Sequence, residues 1–298
     1  MDRVVEEEIG LAVRRRSAAA RLLGGIRRFI THKPLGAIGA ALILTLILVA
    51  VFAPVIAPYP PKALVARSLA PPGQQFIFGG DQIGRDVFSR VVWGARLSLY
   101  IGLLAVSLGS ISGLVFGILT GYLGGWLDIL GQRVIDSLMA FPGLILALGL
   151  MTALGASVNN VAIAIAIGIF PSSSRTIRSQ TLSIKGNAYV EAARAIGCSP
   201  LRIMFFHILP QTLAPYLVLI SLYLGSSILA EASLSFLGLG VPPDEPSWGG
   251  MINGSTKTLN FAPWIAIAPG LAISLVVYGF NLLGDALRDV LDPRLRGR

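Results

Sequence analysis

Few side chains in this sequence have the chemistry of a catalytic or metal site, and they do not cluster. The chain has two histidines, His32 and His207, and one cysteine, Cys198. An enzyme that works within a membrane needs a nucleophile with its base, or a set of metal ligands, at membrane depth. Both histidines lie beside apolar runs and not within them, so they do not supply such a set. One cysteine excludes an internal disulfide and any multi-cysteine metal site. We therefore expect a chain that is no enzyme, with no catalytic residue, no metal site and no cofactor bound by this chain.

A phosphate-binding loop is missing as well. No lysine in the chain follows a glycine, so the Gly-Lys-Ser/Thr ending of such a loop does not occur. If the chain takes part in active transport, ATP and Mg must be used by a partner ATPase. The chain alone is expected to hydrolyse no ATP.

Glu231 is the one charged side chain between Arg202 and Asp244. A charge near a membrane is costly and usually faces protein or water, so Glu231 is a candidate for the path of a transported solute. The alternative is a carboxylate that reaches the surface at the end of its span. Trp248 follows in a Trp-Gly-Gly turn, which we expect to be exposed beside the same path. An ion-coupled secondary transporter would need more such groups, but apart from Glu231 and Asp285 at span ends, and Asp136 near the start of the third span, the spans are uncharged.

The composition is that of a membrane protein. Of the 298 residues, 54% are hydrophobic and only 13% are charged, against roughly 25% charged in soluble domains. Residues 35–57 carry no charge, and at about 1.5 Å per helical residue such a run crosses a hydrocarbon core of roughly 30 Å. The chain is predicted to be an all-α polytopic membrane protein with six transmembrane helices, at about residues 35–57, 97–121, 134–154, 157–174, 212–232 and 263–285.

The formal charge of +9 follows the predicted spans. Most of the 24 Lys and Arg residues fall in the N-terminal tail, around residues 175–202 and at the C-terminus. Loops rich in Lys and Arg stay in the cytoplasm, so both termini are expected there. Membrane topology accounts for the charge, and no nucleic acid is expected as a partner. The tail, residues 1–34, fits a basic amphipathic helix on membrane lipid or a frayed tail.

One long amphipathic segment, residues 189–210, interrupts the apolar blocks. Its first part suits a helix, Gly197 permits a turn that a side chain would resist, and Ser199-Pro200 is typical of a helix start. The second helix should end at Pro210. Its apolar face is predicted at Leu201, Met204, Phe205 and Ile208. Such a helix–turn–helix cannot cross a bilayer, so it is either a surface knob that docks a partner or a plain connector.

Small residues and a proline mark the second and third spans. Glycines recur every four residues in the second span, at Gly109, Gly113, Gly117 and Gly121, a spacing that lets helices pack closely in lipid. This helix is therefore predicted to be buried among others. Pro142, in the third span, frees a backbone carbonyl that neighbouring helices or water must satisfy. We expect Pro142 to line the translocation path.

The first extracytoplasmic segment, residues 58–96, opens with prolines and continues to a charged stretch. Asp81 is expected to cap a turn or a helix. The spacing of the charges that follow predicts a solvated surface helix with ion pairs along it, formed by Arg85, Asp86 and Arg90.

Several motifs resemble those of binding-protein-dependent ABC importer permeases. The cytoplasmic "EAA" loop of that family, which docks on the ATPase, is matched by Glu191, Ala192, Ala193, Gly197, Leu209 and Pro210. Residues 78–86 resemble the Gly-Thr-Asp-x-x-Gly-Arg-Asp signature of the dipeptide/oligopeptide/nickel branch, with Gly80 where Thr is usual. Residues 124–128, 140–142, 234–249 and 284–294 are also similar to that branch.

This resemblance implies a type I ABC importer permease fold and a C-type (Dpp/Opp-like) subunit in the inner membrane of a prokaryote. It implies transport of di- or oligopeptides, with nickel or another small solute as the alternative. The implied partners are a sister permease of the B type, two ABC ATPase subunits and an extracytoplasmic solute-binding protein.

The predicted spans and the position of the coupling loop divide the chain into regions. Residues 1–34 are expected to be a cytoplasmic tail, 35–57 the first transmembrane helix and 58–96 an extracytoplasmic segment. Residues 97–286 then form a five-helix permease core, and 287–298 a cytoplasmic C-terminal tail. The coupling loop is expected at about 186–210.

Overall fold

The structure is a computed structural model that describes Thr31 and residues 33–291. The predictions for the N-terminal tail, other than at its last residues, and for residues 292–298 lie outside the described residues. Within this part of the chain the secondary structure is helical, with isolated bridges only at Leu64–Arg85 and Gly80–Asp86. The prediction of an all-α protein is confirmed.

In chain order the helices are α1 (Pro34–Val51), α2 (Ala53–Ile56), α3 (Val87–Leu123), α4 (Gly125–Met139), α5 (Gly143–Leu154), α6 (Val158–Lys185), α7 (Ala188–Ala195), α8 (Pro200–Ile203), α9 (Leu209–Phe236), α10 (Trp248–Ser255) and α11 (Trp264–Leu291), with a π-turn at Met204–Ile208. Among the described helices, α1, α3, α6, α11 and the continuous stretch Pro200–Phe236 are long and apolar enough to cross a membrane. A sixth span is counted if α4 and α5 are taken together.

Helix α3 packs closely along α6 through its glycines. A Cβ atom at Gly109 would lie 2.5 Å from the Ala166 carbonyl oxygen, and one at Gly117 would lie 2.6 Å from the Ser174 carbonyl oxygen. Only glycine permits such backbone approach, which is the packing that small residues at four-residue spacing favour in lipid. The prediction that this helix is buried among others is confirmed.

All three buried apolar clusters of the described residues contact α3. Near the start of α3, Val87 belongs to a cluster with α1, α9, α10 and α11. Ala105, near its middle, packs with α5, α6 and α9. Tyr122, in its last turn, packs with the end of α6 and with residues of the 186–210 loop. Helix α3 is therefore the axis of the fold. Its 37 residues span about 55 Å at 1.5 Å per residue.

The predicted third span is broken. Helices α4 and α5 meet at an angle of 89° across Ala140-Phe141-Pro142, because proline cannot donate to the helical ladder and its ring collides with the preceding turn. Ion pairs hold α4 against α6. Arg178 donates to both carboxylate oxygens of Asp128 at 2.5 Å, and Arg175 pairs with Asp136. Both arginines lie where α6 continues to Lys185, past the predicted end of the fourth span at about residue 174.

The prediction of a solvated surface helix over residues 78–90 is wrong, because Asp81, Asp86 and Arg90 are buried and Arg85 is half-buried. Asp81 accepts from the amides of Ile83 and Arg85 and pairs with the Arg85 side chain at 2.6 Å, so it does cap a turn. Asp86 caps α3 by accepting from the Ser89 amide at 2.8 Å. Helix α3 begins only after Asp86, at Val87.

Two segments at this end of α3, residues 58–86 and 237–263, form a structure that we call the cap. Arg90, which is 2% exposed, donates to the Pro61 carbonyl at 2.9 Å and to the Glu245 carbonyl at 3.2 Å. A surface ion pair joins Lys62 with Glu245 at 3.0 Å. Arg90 therefore fastens both cap segments to α3 and makes no ion pair along its own helix.

Candidate functional site

The turn in the 186–210 loop depends on Gly197. Its φ angle is +81°, in the left-handed region that glycine enters without steric cost. The Gly197 amide donates to the Arg194 carbonyl at 2.9 Å and the Cys198 amide donates to the Ala193 carbonyl at 3.0 Å. These two bonds are the Schellman ending of a helix, here α7. The predicted glycine turn is confirmed.

The second arm begins as predicted but does not end as predicted. Ser199 caps α8 by accepting from the Arg202 amide at 3.4 Å, and Pro200 opens the helix. Pro210 was expected to end it, yet the helix continues from Pro200 to Phe236. A π-turn at Met204–Ile208, in which the Leu209 amide donates to the Met204 carbonyl, precedes the proline. Widening the ladder in this way lets a helix accommodate a proline that would otherwise break it.

The base of the loop is buried against α3, α6 and α9. Its buried side chains are Val190, Ala193, Ile203, Met204 and Ile208. The predicted apolar face was therefore half wrong: Met204 and Ile208 point inward, but Leu201 and Phe205 point outward, and Ile203 takes the inner position. The π-turn shifts the register of the face after Ile203, which a regular 3.6-residue spacing cannot anticipate. Leu201 and Ile203 precede the π-turn in α8, so the predicted face was misplaced there as well.

The tip of the loop exposes large apolar side chains. Ile196 is 80% exposed, Phe206 is 74% exposed, and Leu201 and Phe205 are also largely exposed. We call these four residues the apolar tip. Of the predicted coupling residues, Glu191, Ala192, Gly197 and Pro210 are exposed, Leu209 is half-buried and Ala193 is buried. The loop therefore combines a fixed base with an uncovered apolar surface.

One aromatic contact joins the two arms of the loop. The rings of Tyr189 and His207 are stacked, with centroids 6.5 Å apart and planes at 17°. The His207 Nδ1 atom is buried without a hydrogen-bond partner in the described part of the chain. Cys198 is half-buried beneath the turn. No group of three potential metal ligands occurs among the described residues.

The prediction that Trp248 is exposed is wrong. It is 1% exposed, and its indole Nε1 donates to the Val91 carbonyl at 2.9 Å. A Cβ atom at Gly94 would lie 2.5 Å from that nitrogen, so glycine there makes room for the ring. The Trp-Gly-Gly sequence is the first turn of α10, capped by Ser247, and not an open turn. The capping serine before the tryptophan was the signal that sequence reasoning missed.

Glu231 is also fully buried, not at a surface. Its Oε1 atom accepts from Ser235 at 2.8 Å and from Ser247 at 2.7 Å, and its Oε2 atom accepts from Ser98 at 3.3 Å. Ser247 at the same time accepts from the Gly250 amide. Glu231 thus connects α3, α9 and the start of α10 through hydroxyl groups, and both oxygens are occupied.

Pro142 lies at the break between α4 and α5 and is exposed. Its own carbonyl accepts from the Leu146 amide at 3.0 Å. The carbonyl that the proline leaves without its usual helical donor belongs to Leu138, and it accepts from the Phe141 amide at 3.4 Å. The proline therefore lies at a corner of the chain and not within a straight span.

Comparison with known families and relatives gives a consistent result. Residues 113–297 match the family described as "Binding-protein-dependent transport system inner membrane component". Residues 24–72 match the "N-terminal TM domain of oligopeptide transport permease C". The chain is 42% identical over 263 residues to the dipeptide transport system permease protein DppC of Alkalihalophilus pseudofirmus, covering 88% of this chain and 86% of the relative. It is 44% identical over 260 residues to the glutathione transport system permease protein GsiD of Escherichia coli O1:K1 / APEC, covering 87% and 86%.

Solved structures share the fold. An inward-facing structure of the MetNI methionine ABC transporter superposes with a TM-score of 0.58 at 18% identity, covering 69% of this chain and 97% of that chain. A second crystal form gives a TM-score of 0.57. The predicted type I importer permease fold is confirmed, as is the expectation of a non-catalytic transport subunit. The chain belongs to the inner membrane components of binding-protein-dependent transport systems, and among them to the Dpp/Opp-like C-type permeases.

Proposed function

We propose that this chain is a permease subunit of an ATP-driven importer of short peptides, coupled to ATPase subunits through residues 191–210. The observation that carries the proposal is the 186–210 loop, in which a buried base presents the uncovered apolar tip. An exposed apolar surface of this kind marks a contact with another protein or a membrane. Its helical arms suit a groove of a partner protein.

The partner at the apolar tip is an ABC ATPase, since the chain has no phosphate-binding loop of its own. ATP and Mg are used there. A sister permease contributes the second such loop and the other half of the pathway, so two ATPase subunits are engaged. Both termini and the loop lie in the cytoplasm, because Lys and Arg are concentrated in these segments.

The solute is a di- or oligopeptide delivered by an extracytoplasmic solute-binding protein. Two relatives support this class by their names, which refer to dipeptide and to glutathione, both short peptides. Nickel is the alternative solute. No metal-ligating cluster within the described residues favours it.

The residues predicted to border the solute path take two different roles in this proposal. Pro142, which is exposed at a corner between two helices, borders the path. Glu231 and Trp248 are buried, so they hold α10 and the cap segments in place without touching the solute. The three serine hydroxyls on Glu231 and the indole bond to Val91 are the contacts that support this role.

The experiment compares a double substitution in the apolar tip with a single substitution in the cap, each in the assembled transporter in vesicles. Leu201→Ser with Phe206→Ser removes apolar surface from the tip, whereas Phe261→Ser removes it from the cap, where Phe261 is 77% exposed. The tip variant is expected to lose co-purifying ATPase and ATP-dependent uptake of a labelled dipeptide. The cap variant keeps its ATPase. ATPase retention by the tip variant would contradict the proposed dock, and ATP-dependent uptake of Ni²⁺ in place of peptide would contradict the solute class.

A further inference from the structure

Tyr122 occupies an unusual electrostatic position at the end of α3. The residue is 8% exposed, and its ring has two cations close to it. The Lys185 ammonium lies 5.5 Å from the ring centroid and the Arg194 guanidinium 5.4 Å from it. Both distances are within the range at which an aromatic face attracts a cation. Lys185 also donates to the backbone carbonyl of Tyr122 at 2.6 Å, where a cation stabilises the end of a helix.

The two cations come from different elements. Lys185 is the last residue of α6, and Arg194 lies in α7, within the 186–210 loop. The loop follows α6 directly along the chain, so movement of the loop reaches α6 through the backbone. Helix α3 has no such covalent link to the loop. In the described residues, the charged contact that joins α3 with α7 is the one between Tyr122 and Arg194.

Helix α3 connects this junction with the opposite end of the molecule. Its last turn carries Tyr122, and its first turns carry Arg90 and the Val91 carbonyl, which hold the cap and Trp248. The glycines packed on α6 leave little room for the helix to bend there. A displacement of α3 at Tyr122 would therefore be transmitted along the helix to its first turns, which hold the cap.

We propose that Tyr122 is a positioning residue for energy coupling, which passes movement of the 186–210 loop to α3 through its cation contact with Arg194. This inference rests on the proposed role of the loop as the ATPase dock. It assigns to the aromatic ring a function that its volume in the apolar cluster does not require. An aliphatic side chain of similar size would fill the cluster but would have no face for the cation.

The test uses the whole transporter in vesicles and measures peptide taken up per ATP hydrolysed. Tyr122→Leu is expected to lower this ratio about 3- to 30-fold, the range that corresponds to loss of a cation–π contact. Tyr122→Phe, which keeps the ring face, should stay within about 2-fold of the wild type. ATPase co-purification should be unchanged in both, because the apolar tip is untouched.

A double-substitution cycle separates the contact from simple packing. Arg194→Met alone should lower the amount of peptide taken up per ATP hydrolysed. Combined with Tyr122→Leu it should have no further effect, because the two residues act through one contact. Arg202→Met is the matched control, an exposed arginine of the same loop without a ring contact among those described. Its effect should be the same in both backgrounds. Because Arg194 is exposed, the comparison of Arg194→Met with Arg202→Met in the wild type remains informative even if Tyr122→Leu does not fold: an equal coupling ratio for the two would overturn the role of the contact.

The outcomes distinguish this inference from the function on which it rests. Normal coupling by Tyr122→Leu, or full effect of Arg194→Met beside it, would overturn the role of Tyr122 while leaving the dock intact. Equal impairment by Tyr122→Phe and Tyr122→Leu would likewise overturn it, because the ring would then not be the relevant feature. A wild-type complex without ATPase or peptide uptake would instead overturn the proposed function.

Discussion

Replacement of Gly197 tests whether the angle of the 186–210 loop matters for coupling. A Cβ atom at this position would have no neighbour within 4 Å, so the added Cβ atom causes no collision. The whole cost comes from the backbone, whose φ of +81° is unfavourable for L-residues by about 1–2 kcal/mol. Valine costs more than alanine because it is β-branched, whereas asparagine tolerates the conformation best among non-glycine residues.

This cost is to be compared with what holds the turn. The turn has two backbone hydrogen bonds, at 2.9 and 3.0 Å, and each contributes a net of about 0.5–1.5 kcal/mol. The backbone penalty at position 197 is therefore of the same size as the stabilisation of the turn by its hydrogen bonds. It is small compared with the stabilisation that packing gives to the buried base of the loop and to the membrane helices. We expect the turn to open or change its angle while the membrane helices remain folded.

Uptake in vesicles should consequently fall in the order glycine, asparagine, alanine, valine at position 197, with normal insertion. Two glycines are matched controls. Gly186, in the same loop, has a φ of −84° and an open Cβ position, so Gly186→Ala should transport normally. Gly155 has a φ of +80° and also has no neighbour, but it lies between α5 and α6, so Gly155→Val carries strain of the same kind outside the loop.

The measurement combines peptide uptake, ATPase activity and co-purification of the ATPase. Gly197→Val should uncouple hydrolysis from uptake or release the ATPase, and Gly155→Val should do neither. The reasoning is refuted if Gly197→Val transports normally at normal expression, which would make the loop a plain connector. It is also refuted if asparagine and valine at position 197 are equally harmful.

Three further substitutions test the packing and the buried polar groups by thermal unfolding in detergent. Gly109→Val should lower the unfolding temperature sharply, because its side chain meets the α6 backbone. Gly168→Val should not, because Gly168 lies in α6 at a position where a Cβ atom has no neighbour within 4 Å. Equal effects of the two substitutions would contradict the close contact between α3 and α6. Glu231→Ala removes the acceptor shared by three serines and should lower the free energy of unfolding by about 1–3 kcal/mol. Glu231→Gln should lower it less, and the reverse order would contradict the hydrogen-bond network around Glu231. The losses of unfolding free energy caused by Arg178→Gln and by Asp128→Asn should be non-additive by about 0.5–3 kcal/mol when the two are combined. Additive losses would show that the ion pair does not hold α4 against α6.

Features that depend on local backbone chemistry could be predicted from the sequence. The left-handed turn at Gly197 and the cap at Ser199 follow from residue types whose conformational preferences are strong. The burial of α3 among other helices followed from glycines repeated every four residues, although the sequence did not indicate α6 as the partner. In each case a single segment carried enough information, because the preference acts within one or two helical turns.

Features that depend on an irregular helical turn, or on contacts distant in the sequence, could not be predicted from the sequence. Pro210 was expected to end a helix, but a π-turn beginning at Met204 accommodates it, and such a turn has no simple sequence pattern. Glu231 and Trp248 were placed at a surface because their partners, Ser98 and Val91, lie far away in the chain. Without these partners a buried carboxylate and a buried indole cannot be told from exposed ones.

The central claim, that the apolar tip docks an ATPase in the cytoplasm, is tested most directly by photo-crosslinking in native membranes. A photoreactive phenylalanine analogue is placed at Ile196, which is 80% exposed, and in a separate variant at Phe261, which is 77% exposed at the other end of the molecule. We predict that the probe at position 196 crosslinks to an ATPase subunit and that the probe at position 261 does not. A crosslink from position 196 to lipid alone, or an ATPase crosslink from position 261, would contradict the account.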